Sequence, residues 1–345
     1  MEIVKYSYLS LERLNEIMNN IDDQRIGIIG DGTLDIYWQV DMRKSKLSRE
    51  TPHYPLPVVS ERIDLGAGAN VASNLAAFSR GQVDLLTVIS KDWRGREFKK
   101  IFKNKKISTD FIIETNERAT SAYCKPLMHG HSEVVYEAPR LDFINSKDIS
   151  GQLETEIIEK IEVMIEKTDM LIITDQLEYG IINSTIRGKI NTLAKEEQII
   201  VDSRQNIGKF NGVITKPNEM EAINATAIDD SWEKAGKALS KNTGSPVLMT
   251  LGEEGCCWFD GEKESIRVPA VKTEGDIDIV GAGDAFLAAF TIAYSGGADI
   301  KEAMIIGNLA ASIVIKKLSE TGTFSKGEII RTFTEIMEDR KYGDS

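Results

Sequence analysis

The chain has 345 residues, 41% of them hydrophobic and 28% charged, enough to build a sizeable core, with no apolar run long enough to span a membrane. Its 54 acidic residues outnumber 42 basic ones, and the net charge of −12 repels polyanions and argues against nucleic acid as a partner. The segment from Met1 to Leu9 has no apolar run of signal-peptide length, so a cytoplasmic protein without membrane association is expected.

In chain order, short apolar runs at residues 25–30, 83–89, 170–174, 199–201, 213–215 and 247–250 alternate with longer helical patterns. Strands that are apolar along their whole length are buried on both faces. Their alternation with helices predicts an α/β doubly wound, mostly parallel sheet with helices on both sides. Ligands of such sheets bind beyond the carboxyl ends of the strands, which directs attention to Asp31, Asp175, Asp202 and Asn218.

Two stretches break the alternation, at about 36–65 and 111–142. The first holds Tyr37-Trp38, a basic run over 43–49 and three prolines; the second has strand-like pieces at 121–124 and 133–136. Recurrent aromatic and β-branched residues predict that both pair into a small β lid over the strand ends. No linker or repeat divides the chain, so one domain over 1–345 is expected, longer than the usual range of about 100–200 residues. Of three cysteines, Cys256 and Cys257 fall in a run that reads as a buried strand, and none forms a Cys-x-x-Cys pair. The three histidines, His53, His129 and His131, lie in lid or loop sequence and suggest no metal site.

The strongest chemical signal is Asp278-Ile-Val-Gly281-Ala282-Gly283-Asp284, followed by Ala285, Phe286, Ala289 and Ile292 at helical spacing. This describes a tight turn opening into a buried helix, whose first N–H groups lack intrahelical partners and sit at the positive end of the dipole. Gly281, Ala282 and Gly283 are therefore expected to shape an anion hole for a transferring phosphoryl group. Asp284 is placed to accept the proton of an attacking hydroxyl. The plainer reading of the same residues is a packing turn with Asp as a helix cap.

The complete segment resembles the Asp-x-Thr-Gly-Ala-Gly-Asp signature of the PfkB family of carbohydrate kinases, with Val280 where Thr is usual. Gly66-Ala-Gly68-Ala-Asn70 resembles the family's N-terminal signature, which places Gly68 and Asn70 at the sugar. The resemblance implies a ribokinase-like fold, ATP as phosphate donor, Mg²⁺, room for a monovalent cation, and a small-molecule sugar or sugar phosphate as acceptor. Gly30-Asp31-Gly-Thr-Leu-Asp35 resembles the motif whose acids hold substrate hydroxyls, Asp35 foremost. Lys216-Pro-Asn218-Glu-Met-Glu221 resembles the Asn-x-x-Glu motif that organises Mg²⁺ through water. On the same resemblance Thr250, Gly252 and Gly255 form a turn that meets ATP, Asp278 opens the nucleotide loop, and Asn308 lies on the helix beside the adenine.

Within the family the chain is most similar to kinases of heptose 7-phosphate on the route to ADP-heptose, through residues 30–38, the lid pieces 47–52 and 55–59, Arg140-Leu-Asp142, and 317–325. That likeness assigns Arg140 and Asp142 to the acceptor. A lysine usual after a middle strand is missing from Asp175-Gln-Leu-Glu178-Tyr-Gly180; Arg43, Lys44, Lys46, Arg49, Lys125 and Arg140 are the cations that could replace it. The fused nucleotidyltransferase of some heptose kinases is expected to be a separate enzyme here. Apolar and aromatic lid residues, Tyr37, Trp38, Tyr54 and Val58, predict a homodimer through the lid. The alternatives are a simple hexose or nucleoside kinase of the same fold, or a nucleotide-binding regulator without catalysis.

Overall fold

All six apolar runs become strands of one ten-stranded sheet. The computed structural model describes residues 1–132, 134–318 and 322–343. From one edge to the other the strands are Glu2–Ile3, Ile266–Val268, Cys256–Phe259, Val247–Thr250, Ile214–Thr215, Ile199–Ser203, Met170–Asp175, Arg25–Gly30, Gln82–Ser90 and Ile112–Thr115. Every pairing is parallel except the two made by Cys256–Phe259, which runs against both its neighbours.

The strands are apolar throughout because successive residues enter different cores. Ile172 packs on one face with Leu75, Phe290 and Ile306, from the helices Gly68–Phe78, Ala282–Ser295 and Ile300–Val314. Leu171 and Ile173 point the other way, to Ile157, Ile186 and Leu239 of the helices Gly151–Ile165, Ser184–Leu193 and Trp232–Thr243. Cys256 and Cys257 divide between the two cores in the same manner, as small buried hydrophobes.

A second sheet stands beyond the carboxyl ends. It has the order Val58–Ala67, Gly32–Asp41, Ala122–His129, Val135–Glu137, with Leu141–Phe143 also paired to Ala122–His129. Its limits correct the expected ones. Ile112–Thr115 belongs to the large sheet, in register with Thr87–Ser90, because Phe111 and Ile113 are buried in the second core. At its other end the small sheet begins at Gly32 rather than near 36. Glu133, in the expected strand piece 133–136, lies outside the described residues.

Among the described residues no helix is long and apolar enough to cross a membrane. One local exception to the acidic balance is a basic hollow at Arg96, Lys99, Lys100 and Lys103. Lys99 and Lys100 are neutralised there by Glu114 and Glu97.

Candidate active site

Two helices rich in small buried residues, Gly68–Phe78 and Ala282–Ser295, pack side by side. Their first turns meet: the Asn70 Nδ2 donates to Asp284 Oδ2 at 2.7 Å. The Asn70 amide is held for this contact by Asn74, whose Nδ2 donates to the Asn70 carbonyl at 3.0 Å and lies 3.3 Å from its Oδ1. Asp284 is half-buried. Burial pushes its carboxyl up to about 6; the Asn70 hydrogen bond opposes that shift, the charge of Asp202 adds to it and that of Lys216 opposes it.

The turn before Asp284 is held by its own groups. Gly281 has a φ of 82°, a left-handed conformation suited to glycine. Asp278 accepts from the Val280 N–H at 3.0 Å, and Ala282 donates its N–H to the Ile279 carbonyl at 3.2 Å. Those bonds correct the expectation for two residues: Ala282's N–H and Asp278's carboxylate close the turn instead of facing a ligand. The Gly283 N–H has no partner among the described residues, and a Cβ built there meets nothing within 4 Å.

Below the turn lies a charged floor formed by Asp202, within the strand Ile199–Ser203, and Lys216, just past the neighbouring strand Ile214–Thr215. Lys216, 4% exposed, places Nζ 3.4 Å from Asp202, which also accepts from Gln176 Nε2 at 3.1 Å. Burial favours the neutral amine, but the charges of Asp202, Glu221 and Asp284 outweigh it and hold Lys216 above its ordinary range. Burial and Asp202 together raise Glu221. Asn218 and Glu221 are joined in a capping box on the helix Glu219–Thr226, each side chain accepting the other's backbone N–H at 2.8 Å. Lys216 heads the Asn-x-x-Glu segment, but the motif itself assigns it no role. A lysine directly past an apolar strand, two residues before an Asn-x-x-Glu, was the available signal.

Across the cleft, Asp35 stands in register with Tyr123 and Asp64 on the small sheet, and its charge adds to the upward shift of Asp284. Its carboxylate is raised by burial and pulled back by Lys125, whose Nζ lies 3.4 Å away and 3.1 Å from the Tyr37 hydroxyl. Arg140 makes a two-pronged pair with Asp142 at 2.6 and 2.7 Å, and its guanidinium rides over the Tyr123 ring at 4.5 Å. Arg43, expected as a spare cation, is instead paired with Asp41 at 2.7 Å. Asp31 is also corrected. Its carboxylate is 3% exposed and accepts the backbone N–H groups of Gln176, Leu177 and Ile181 at 2.9–3.1 Å, so it anchors the 176–181 loop and does not face substrate. Gly68 belongs to the same anchor, donating to the Asp31 carbonyl at 2.8 Å.

The profile of the pfkB family carbohydrate kinases matches residues 61–326, which include both Asn70 and Asp284. The chain belongs to that family. Among curated relatives, the bifunctional protein HldE of Trichlorobacter lovleyi is 30% identical over 313 residues, covering 88% of this chain and 61% of that one. The HldE of Aliarcobacter butzleri is 30% identical over 86% of this chain and 62% of its own length. The chain thus spans about three-fifths of the curated relatives it matches. Among solved structures, an Arabidopsis thaliana ribokinase complexed with ribose and ATP superposes with a TM-score of 0.68 at 18% identity, covering 90% of this chain and 99% of that one. Escherichia coli phosphofructokinase-2 with fructose-6-phosphate gives a TM-score of 0.69 at 17% identity, over 91% and 99%. The fold is therefore ribokinase-like.

In this pfkB-family chain the turn expected to meet the nucleotide follows the strand Val247–Thr250. Thr250 bridges to Asn218, bringing the turn beside the capping box. Gly252 and Gly255 take φ values of 55° and 93°, and a Cβ at Gly255 would lie 2.1 Å from the Val268 carbonyl oxygen, so that position admits only glycine. Asn308, on the helix Ile300–Val314, is 6% exposed and donates to the carbonyls of Val268 and Pro269 at 3.1 Å each, pinning the neighbouring strand end.

Proposed function

We propose that this chain transfers the γ-phosphate of ATP to a hydroxyl of a sugar phosphate, with heptose 7-phosphate as the acceptor and heptose 1,7-bisphosphate as the product. The observation that carries the reading is the 2.7 Å contact between Asn70 and Asp284, which joins two motifs 214 residues apart at one point of the cleft. The heptose assignment rests on the sequence likeness to heptose 7-phosphate kinases and on the similarity to the HldE proteins.

In this reading Asp284 takes the proton of the acceptor hydroxyl, whose oxygen forms a bond to the γ-phosphorus as the bond to the bridging β–γ oxygen breaks. ADP departs with that electron pair, and Asp284 is left protonated. The Gly283 N–H and the helix end face the negative charge of the transferring group. Asn70 positions the base, and Asp35 holds an acceptor hydroxyl. Lys216 keeps the floor from accumulating uncompensated negative charge. Thr250, Gly252 and Gly255 border the nucleotide.

The donor set suits Mg²⁺. Burial and the charge of Asp202 raise Glu221 in spite of Lys216, which fits a hydrated divalent cation held by Glu221 and Asn218 through water. When bound, the ion would screen the charge between donor phosphates. The small sheet acts as the lid, excluding water from the acceptor, and the enzyme works in the cytoplasm.

The test is transfer of label from γ-labelled ATP, in the presence of Mg²⁺, to a panel of sugars, sugar phosphates and nucleosides. Labelled heptose bisphosphate as the dominant product is the expected result. Label on an unphosphorylated hexose or a nucleoside would replace the heptose assignment, and no acceptor-dependent label at all would remove the kinase reading.

A further inference from the structure

The N-terminal edge strand Glu2–Ile3 runs parallel to Ile266–Val268, and its hydrogen bonding continues past its own end. Glu2 and Val4 donate their N–H groups to the carbonyls of Ser265 and Arg267 at 2.8 Å. Two residues further on, the Tyr6 hydroxyl donates to the Pro269 carbonyl at 3.0 Å, extending the same two-residue rhythm by one step. Tyr6 opens the short turn Tyr6–Tyr8, is 3% exposed and packs its ring into the first core.

We infer that Tyr6 is a positioning residue for the nucleotide: it fixes the strand end from which the catalytic turn hangs, and so acts on ATP and not on the acceptor. That role rests on the kinase reading above, in which the turn at 250–255 and the Gly283 N–H face the donor.

Pro269 stands between those two segments. On one side the turn at Gly255 lies against it, since a Cβ there would be 2.1 Å from the Val268 carbonyl oxygen and 2.6 Å from the Pro269 carbonyl carbon. On the other side, residues 270–281 run from Pro269 to the turn that carries Gly283 and Asp284. In a close-packed interior a shift of this strand end displaces both.

The connecting segment has little support of its own. Among the described residues no backbone group of 270–277 is hydrogen-bonded, and Lys272, Glu274, Gly275, Asp276 and Ile277 are exposed. The next tie is the Asp278 N–H, which donates to the Ile315 carbonyl at 2.8 Å. The course of the segment is therefore set at its two ends, Pro269 and Asp278.

Proline has no N–H to donate, so Pro269 can be held by hydrogen bonds only through its carbonyl. Both lone pairs are taken, one by the Asn308 amide at 3.1 Å and the other by Tyr6. Tyr8, in the same turn, is directed elsewhere: its hydroxyl donates to Asp299 at 2.8 Å and makes no bond to the strand end.

The experiment compares Tyr6→Phe and Tyr8→Phe with the wild type in the full chain. ATP binding is measured calorimetrically without acceptor, and KM for ATP, KM for heptose 7-phosphate, kcat at saturating substrates and Tm are measured beside it. Tyr6→Phe should weaken ATP binding and raise the KM for ATP by roughly 3- to 10-fold, the scale of one lost neutral hydrogen bond. The acceptor KM and kcat should change little. Tyr8→Phe, which removes a hydroxyl from the same segment, should leave both ATP values where they are. Unchanged ATP binding in Tyr6→Phe, whatever its Tm, would overturn the role and leave the kinase standing. An equal rise in both KM values, or the same loss in Tyr8→Phe, would do so too. A wild type that binds no ATP would instead remove the kinase reading, and the role of Tyr6 with it.

Discussion

At the scale of single residues, the chemistry turns on one carboxylate whose affinity for protons is set by its neighbours. Asp284 is pushed by burial up to about 6, against an ordinary value of 3.8. A general base must be ionised, so activity is present above the raised pKa and lost as the pH falls through it. The acid limb of kcat/KM is therefore expected at about pH 6, measured with saturating Mg²⁺ and acceptor well below KM. The Asn70 hydrogen bond stabilises the charged form, so Asn70→Ala should move that limb to higher pH as well as lower the rate. A limb near 4, or one that stays in place when Asn70 is removed, would show that another group titrates. The same neighbourhood separates contact from support. Asp31, Asp278 and Asn308 have the residue types expected of ligand-binding groups, yet their polar atoms are taken up by the backbone.

At the scale of elements, the lid strands are amphipathic in two different ways. Leu34, Ile36, Ala122 and Cys124 face the first core, and their alternates Asp35, Tyr37, Tyr123 and Lys125 face the cleft. Toward the outer parts of the same sheet this order fails: Val58, Val59, Val135, Tyr136 and Leu141 are all exposed. Tyr54 and Leu56, in the segment that leads into the first of these strands, are exposed as well. A five-stranded sheet with so much apolar surface in water is an association surface or an aggregation hazard. We therefore propose that the lid pairs with the lid of a second copy. Light scattering at micromolar concentration should give twice the mass of one chain, and Val58→Lys combined with Tyr136→Lys should convert it to monomer. A wild type that is monomeric and fully active would contradict this.

At the scale of the whole molecule, the large sheet was legible because its signal is continuous: runs such as 170–174 are apolar at every position, which only a strand buried on both faces requires. The turn at 278–284 was legible for the opposite reason, since its small residues have no packing use there and Gly283 indeed faces open space. The lid's limits were harder to read. Ile112–Thr115 is short and β-rich like the lid pieces, and its place in the large sheet depends on Phe111 and Ile113 reaching a core formed far away in the chain. Side-chain partners were not legible at all. Nothing in the sequence shows that Asn308 ends on two carbonyls or that Lys216 lies over Asp202, because both depend on which strand ends become neighbours. The Asn70–Asp284 contact, by contrast, unites two motifs that each suggested the same chemistry, and it is the point where the functional reading is most exposed to refutation. The most direct measurement is turnover of Asp284→Asn with ATP, Mg²⁺ and heptose 7-phosphate, beside calorimetric ATP binding to the same variant. A loss of roughly 10²–10⁴ in kcat with ATP affinity nearly unchanged is the predicted result; wild-type turnover would reduce Asp284 to a helix-end residue and contradict its role as the base.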